Sequence, residues 1–261
     1  NILQMYKILY ITVCSDSYVP GLVALIKSIL KHNPNFNYPF KVINHDKYCQ
    51  LTEKSKDILL KLYNKFIFDT VNDFKANEKV KIKHERLNLG CYLSFYAFNQ
   101  LDYDRIIFLD SDLIVLKDIN ILNTIGKDND NDCDFSACFD NKNTKRKIYK
   151  KAKMYEEINT GLMIITKKFN NKKTFNDLIQ LMNSKRIVRL VDQDIINKYF
   201  KDKQITYLPI KLNKQVKKNY RNVNKIHEDD IILHFHGPKP WNGGVPMCKE
   251  IEKIWWEYYQ Q

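Results

Sequence analysis

Two stretches of the chain are apolar almost without interruption, Lys7–Cys14 (KILYITVC) and Arg105–Leu109 (RIIFL). Runs of this length rich in β-branched residues mark strands buried on both faces, as in a mostly parallel sheet. Between them the period changes. Leu22, Leu25, Ile26, Ile29 and Leu30 fall at helical spacing within Gly21–Lys31, with Pro20 near the first turn, where a missing N–H costs nothing. The same reading predicts helices over Thr52–Tyr63, Leu89–Leu101, Lys172–Asn183, Asp192–Phe200 and Met247–Tyr259. It predicts further strands over Phe40–Asn44, Lys65–Asp69, Leu113–Leu116, Phe135–Cys138, Gly161–Thr166 and Ile231–Phe235. Strands separated by helices imply βαβ units and an α/β fold, a mostly parallel Rossmann-like sheet flanked by helices. No repeat, linker or low-complexity block divides the chain, so one domain is expected over 1–261. Ligands of such sheets bind beyond the carboxyl ends of the strands.

Composition narrows the class. With 261 residues, 44% of them hydrophobic and 28% charged, the chain can bury a substantial core and is neither disordered nor membrane-like in usage. No apolar run approaches the roughly 20 residues of a spanning helix. The opening segment lacks a small-residue cleavage site, so no signal peptide is expected and the chain reads as soluble, with its compartment unassigned. Beginning at Asn1, it is compatible with an excised domain. The six cysteines show no CxxC pair or zinc spacing and read as reduced, mostly buried thiols. The net charge of +13 is concentrated in Lys142–Lys153 and Lys211–Lys225. A nucleic-acid binder carries such charge, and so does an enzyme for anionic substrates, but basic runs most often lie on a solvated face. Charge alone decides nothing.

The chemistry gathers at predicted strand ends. Asp110-Ser111-Asp112 follows RIIFL directly, and two carboxylates at that spacing can converge on one hard divalent cation shared with substrate phosphates. Ser15-Asp16-Ser17-Tyr18 closes the first strand, a cradle for a base and ribose. Asn159-Thr160-Gly161 precedes LMIIT, with Gly161 permitting close backbone approach. Asp192-Gln193 opens an amphipathic helix, and His234-Phe235-His236-Gly237-Pro238-Lys239-Pro240-Trp241 ends the last strand with an imidazole for a metal and a lysine for a phosphate. Each has a plainer reading. Asp192 can cap its helix, Asn159 can be a turn residue, Tyr18 can merely pack, and His234 can be a satisfied core histidine. The C-terminal Trp255, Trp256, Tyr258 and Tyr259 are expected to dock against the core.

In this order, the segments SDSYVPGLVALIKSIL, FLDSDLIVL, INTGLMII, DQDIIN and HFHGPKPW resemble the glycogenin-like branch of glycosyltransferase family 8, from about Lys7 to Trp241. The resemblance implies a GT-A fold and retaining transfer of a hexose, glucose first and galactose next, from a UDP-sugar with Mn²⁺ or Mg²⁺. It places Asp110, Asp112 and His234 on the metal. Thr12, Cys14, Ser15 and Tyr18 fall on uracil and ribose, Ser111 and Asp112 near the ribose, and Gly237 and Lys239 on the diphosphate. Asn159, Asp192 and Gln193 face the transferred sugar. It also divides the domain into a donor-binding half, about 1–118, and an acceptor-side half, about 119–261. Two departures stand out. The closing signature is one residue shorter than usual between Gly237 and Lys239, and Ser94 replaces a donor-binding lysine, for which Arg86 is the nearest upstream substitute. None of the 16 tyrosines lies in a segment matching a self-glucosylation site, so the acceptor is expected on a glycan or a glycosylated protein side chain. Besides the self-glucosylating primer, two other readings stay open: a catalytically silent basic binding module, and nucleotidyl transfer, which would not call for HFHGPKPW. No nucleic-acid partner is expected, and a homodimer is compatible with the sequence.

Overall fold

A computed structural model describes residues 6–84, 87–125, 135–140, 156–216, 226–244 and 249–261. The first apolar run forms β1 (Ile8–Val13), followed by α1 (Val19–His32), β2 (Phe40–Asn44), α2 (Glu53–Leu62) and β3 (Phe66–Thr70). These are βαβ units: β1 pairs parallel with β2, and β2 with β3. On its other edge β1 pairs parallel with β5 (Arg105–Leu109), which follows the two-residue β4 (Lys81–Ile82). Alternation along β1 builds two core layers. Tyr10 faces Leu22, Leu25, Ile26 and Ile29 of α1, whereas Leu9 and Ile11 face Tyr92, Phe95 and Phe98. Each such fully buried side chain stabilises the fold by about 1.5–3 kcal/mol over leaving it exposed.

Beyond β5 come β6 (Leu113–Val115), α3 (Ile121–Thr124), β7 (Phe135–Phe139), β8 (Ile158–Thr166), α4 (Lys172–Ser184), β9 (Ile187–Val188), α5 (Asp192–Phe200) and β10 (Thr206–Leu208). The chain closes with β11 (Lys214–Gln215), β12 (Ile232–His234) and α6 (Lys249–Gln260). The main sheet runs β10-β7-β8-β5-β1-β2-β3, and a second sheet of three runs β11-β12-β6. Most pairs are parallel, as the sequence predicts. In the main sheet β8 is the exception, antiparallel to both β5 and β7, and in the second sheet β12 runs antiparallel to β6. All nine of its residues are buried, so its sequence reads alike in either direction.

The helix expected over Leu89–Leu101 is wound instead as 3₁₀ turns over Leu89–Phe98. Its apolar residues do not form one stripe; Tyr92, Leu93, Phe95, Ala97 and Phe98 are all buried between the sheet and α4 and α5. The tighter winding sets side chains on three rows rather than one face. At its start, a Cβ on Gly90 would stand 2.5 Å from the Tyr48 carbonyl oxygen, so only glycine fits there.

The aromatic C-terminus docks as expected at Trp255, Tyr258 and Tyr259, whereas Trp256 is exposed. Trp255 is fully buried in a cluster with Ala24, Ile114 and Phe235, and the Tyr258 hydroxyl meets His32 Nε2 at 2.7 Å. Cys14, Cys49 and Cys138 are buried and Cys91 half-buried, all as free thiols. Cys133, Cys248, Arg86, the basic run Lys142–Lys153 and much of Lys211–Lys225 lie outside the described residues. Among the described residues, no helix is long and apolar enough to cross a membrane.

Candidate active site

Strand pairing brings the distant motifs together. β5 is buried throughout and ends at Leu109, so Asp110 is the first side chain released from the core, while its N–H still donates to the Gly161 carbonyl of β8 at 2.8 Å. Two residues on, the Asp112 carbonyl accepts from Phe235 N at 3.0 Å, and the β6–β12 ladder sets His234 opposite Leu113. Asp110, Asp112 and His234 therefore meet, with one ligand atom from each lying within 4.8 Å of the others. His234 Nε2 is 3.3 Å from Asp112 Oδ1 and 3.6 Å from Asp110 Oδ2.

Gly161 makes this approach possible. A Cβ there would stand 2.4 Å from His234 Cε1. Opposite β7 the register of β8 slips between Ala137 and Cys138, a bulge that leaves Thr160–Leu162 without regular partners. Bulges of this kind re-aim side chains beside active sites.

The electrostatics suit a cation. Burial and the charge of Asp112 push the Asp110 carboxyl upward. Burial acts the same way on Asp112, but the Lys239 ammonium and then His234 outweigh it and hold its carboxyl well below the usual range. Lys239 Nζ is ion-paired with Asp112 Oδ2 and donates to the Phe235 carbonyl at 3.1 Å. Asp112 Oδ1, in contrast, is buried without a hydrogen-bond donor. A buried carboxylate oxygen without a donor is costly, and a divalent ion is the group that would satisfy it. Two carboxylates and an imidazole nitrogen fit a divalent cation.

Around this centre lies a cavity of about 220 Å³, walled by Ser15, Tyr18, Ser111, Asn159, Asp192, Gln193, Gly237 and Lys239 among others. Tyr18 is half-buried, with Lys239 Nζ 5.4 Å from its ring centroid, and burial pushes its hydroxyl up to about 12. Gly237 has φ +98°, a conformation that favours glycine and lets the segment turn back so that Lys239 reaches Asp112 despite the shortened signature. Trp241 anchors the segment's far end. Its indole N–H donates to Ser17 O at 2.9 Å, its ring lies 5.2 Å from Trp255, and a Cβ on Gly21 would collide with it at 2.6 Å.

Asp192 is the first residue of α5, after Val191 at the cap position, and its carboxylate accepts backbone N–H groups of the first turn. Asp194 Oδ2 accepts the backbone N–H groups of Arg189 and Leu190 at 2.5 and 3.1 Å, leaving Asp192 in the cavity wall. There its Oδ2 accepts from Ser94 Oγ at 2.8 Å. Burial first, then the charge of Asp110, push its carboxyl up to about 7. Val191, just before it, is held at φ +44°, a rarely populated conformation for a β-branched residue. Such strain costs of order 1–3 kcal/mol and persists where surrounding structure enforces it.

Two expected contacts need correction. Thr12 and Cys14 are buried, but their side chains do not wall the cavity. Strand alternation turns Cys14, like Tyr10, toward the α1 layer, and Thr12 shares that parity; Val13 is the β1 residue that lines the cavity. Other residues escaped the sequence reading. Tyr48, His84, Leu87, Asn88 and Cys91 also line the cavity, and His84 Nδ1 is buried without a partner. Asn213 and Asp140 join the buried polar core behind it. Nothing local marks these two positions, because their partners, Asn159 and His234 for Asn213 and Gln193 for Asp140, lie far away in sequence.

Comparison with known proteins agrees with this architecture. The chain is 26% identical over 254 residues to glycosyltransferase GlyF of Streptococcus pneumoniae serotype 4, covering 93% of this chain and 59% of that protein. It is 23% identical to GlyE of the same organism, covering 93% and 58%. The chain thus spans about three-fifths of the length of these relatives. Among solved structures, an active-site mutant of LgtC superposes with TM-score 0.74 at 17% identity, covering 97% of this chain and 95% of that one. The GlyE crystal structure superposes with TM-score 0.68 at 21% identity, covering 98% of this chain and 61% of that one. These neighbours share the GT-A fold. Residues 10–244, which include every site residue named above, match the Glycosyl transferase family 8 profile. An Asp-x-Asp beyond a buried strand, a histidine brought to it by β12, and a match over nearly the whole chain lead to one conclusion: the chain belongs to glycosyl transferase family 8.

Proposed function

We propose that the protein is a retaining, metal-dependent hexosyltransferase that moves glucose from UDP-glucose to a hydroxyl on a glycan or on a glycosylated protein side chain. UDP-galactose is the next donor in order, since a structural neighbour, LgtC, is described as a galactosyltransferase and has been solved with donor and acceptor sugar analogs. One observation carries the reading: the Asp110–Asp112–His234 cluster, with an orphaned Asp112 oxygen, beside Lys239 in a walled cavity.

The chemistry follows from where charge develops. Breaking the bond between the hexose and its diphosphate leaves negative charge on the diphosphate and oxocarbenium-like positive charge on the sugar. Asp110, Asp112 and His234 would hold Mn²⁺ or Mg²⁺, which when bound supplies Lewis-acid stabilisation of the leaving diphosphate. Lys239 adds a second positive charge on the same side, and the backbone at Gly237 lies beside it. Ser15 and Tyr18 cradle the nucleoside, and Ser111 adjoins its ribose. On the sugar side, Asp192 stabilises the positive charge as a carboxylate, while Asn159 and Gln193 orient sugar hydroxyls. Attack by the acceptor hydroxyl from the leaving-group side, its proton passing to the departing diphosphate oxygen, preserves the anomeric configuration. In this scheme residues up to about 118 supply the nucleoside wall and residues from about 119 the acceptor side.

The direct test is incubation with each UDP-sugar with and without Mn²⁺, scoring released UDP and free sugar. Hydrolysis of UDP-glucose that is lost on chelation supports the reading. Silence with every UDP-sugar, together with nucleic-acid binding that weakens steeply with salt, would replace it with the binding-module alternative.

A further inference from the structure

The metal ligand and the sugar-facing amides are joined by an unbroken chain of buried side chains. His234 Nδ1 lies 2.9 Å from Asn213 Oδ1, and Asn213 Nδ2 donates to Asn159 Oδ1 at 2.8 Å. Asn159 Nδ2 donates to Gln193 Oε1 at 3.2 Å, and Gln193 Nε2 donates to Asp140 Oδ2 at 3.2 Å. Every member is at most 8% exposed, and Asn213 and Asp140 are each 1% exposed.

The sense of this chain is fixed by backbone donors. Thr160 N donates to Gln193 Oε1 at 3.4 Å, so the Gln193 amide turns its oxygen toward Asn159 and its NH₂ toward Asp140. Asn159 must then donate to Gln193, and its oxygen, which also accepts from Gly161 N at 3.0 Å, receives Asn213 Nδ2. Asn213 is left presenting its oxygen to His234, so the imidazole carries its proton on Nδ1 and directs the Nε2 lone pair at Asp110 and Asp112. Partners of this kind orient a ligating histidine, and their loss typically costs 10–100-fold in metal affinity or activity.

We infer that Asn213 is a positioning residue that sets the His234 tautomer for metal binding and, through its other amide atom, the orientation of Asn159 and Gln193 toward the sugar. This inference rests on the metal-dependent reading above. It makes the two sites interdependent, since no member of the chain can flip without stranding a buried donor or acceptor.

Two substitutions separate its two halves. Asn213→Leu removes both hydrogen bonds, and Mn²⁺ affinity, read by loss of the free-ion EPR signal without nucleotide, should fall 10–100-fold. Asn213→Asp keeps an acceptor for His234 Nδ1–H but cannot donate to Asn159. It should bind Mn²⁺ at least as well as the parent while kcat for donor hydrolysis falls at least tenfold. Thermal melts of both variants show that they fold. A folded Asn213→Leu protein that binds Mn²⁺ like the parent overturns the inference, as does an Asn213→Asp protein with parental kcat. Failure of the parent itself to bind Mn²⁺ defeats the metal-dependent reading, and this inference with it.

Discussion

Gly161 leaves the space that His234 fills: a Cβ at position 161 would stand 2.4 Å from His234 Cε1 and 2.7 Å from Nδ1. Contacts under 3 Å cannot be kept, and β8 is too deeply buried to retreat. Gly161→Ala should displace the imidazole from Asp110 and Asp112 and weaken Mn²⁺ binding at least tenfold, measured by EPR. Parental affinity in a folded Gly161→Ala protein would show that His234 is not a ligand.

Removing charge from the cluster tests the same centre from the other side. Asp112→Asn keeps the side chain's volume, loses its charge, and should lower turnover by roughly 10²–10³. Circular dichroism should stay native, since the surrounding strands are held by apolar packing. Asp112→Ala is a poorer probe, because it also removes the oxygen that accepts from the Lys239 ammonium and leaves a void.

Asp192 gives the protein a pH signature. Its carboxyl is pushed up to about 7 in the fold, against an ordinary value of about 3.9. The folded state thus holds this proton more tightly than the unfolded chain does. The stability contributed is fully present below about pH 4 and is lost as pH rises through 7. Asp192→Asn should therefore melt higher than the parent at pH 8, with the gap closing or reversing at pH 4. An unchanged gap between those two pH values would refute the assignment.

Ser94 offers a second handle on that carboxyl, since its hydroxyl donates to Asp192. Ser94→Lys would set an ammonium beside it and favour the ionised form. In kcat/KM profiles for donor hydrolysis, the limb contributed by Asp192 should move to lower pH in the variant.

Trp241 is predicted to act on donor affinity without touching chemistry. Trp241→Phe keeps an aromatic ring against Trp255 but loses the hydrogen bond to Ser17 O, at a cost of about 1 kcal/mol in stability. Loosening the segment that carries Lys239 should raise KM for the UDP-sugar severalfold with kcat little changed.

How much of this was legible in the sequence depends on distance along the chain. Asp110 and Asp112 could be read because RIIFL runs straight into them, and charge at the end of a buried strand is conspicuous. α5 could be read from Asp192 to Phe200 by its periodicity, and the parallel β1–β2–β3 units by their alternation with helices. Thr12 and Cys14 were misplaced because strand parity depends on which neighbour covers each face. The direction of β8 was hidden because both of its faces are buried. Asn213 and Asp140 carry no local signal at all. Their roles arise when the fold delivers Asn159 to Asn213 and Gln193 to Asp140, and polar partners chosen by tertiary contact leave no period to detect.

The reversal of β8 has an architectural consequence. In an all-parallel sheet, the strand ends facing the ligand are all carboxyl ends, and the chemistry sits on the loops that follow them. At β8 the polarity is inverted, so this strand presents its amino end, with Asn159 paired to Cys138 of β7 and Thr160 and Gly161 in the bulge beside it, where the Gly161 carbonyl accepts from Asp110 N. Part of the site is thereby built on hydrogen-bonded strand rather than on connecting loop. Evolution can lengthen or exchange the loops around it to suit new acceptors, but these three positions are tied to the integrity of the sheet.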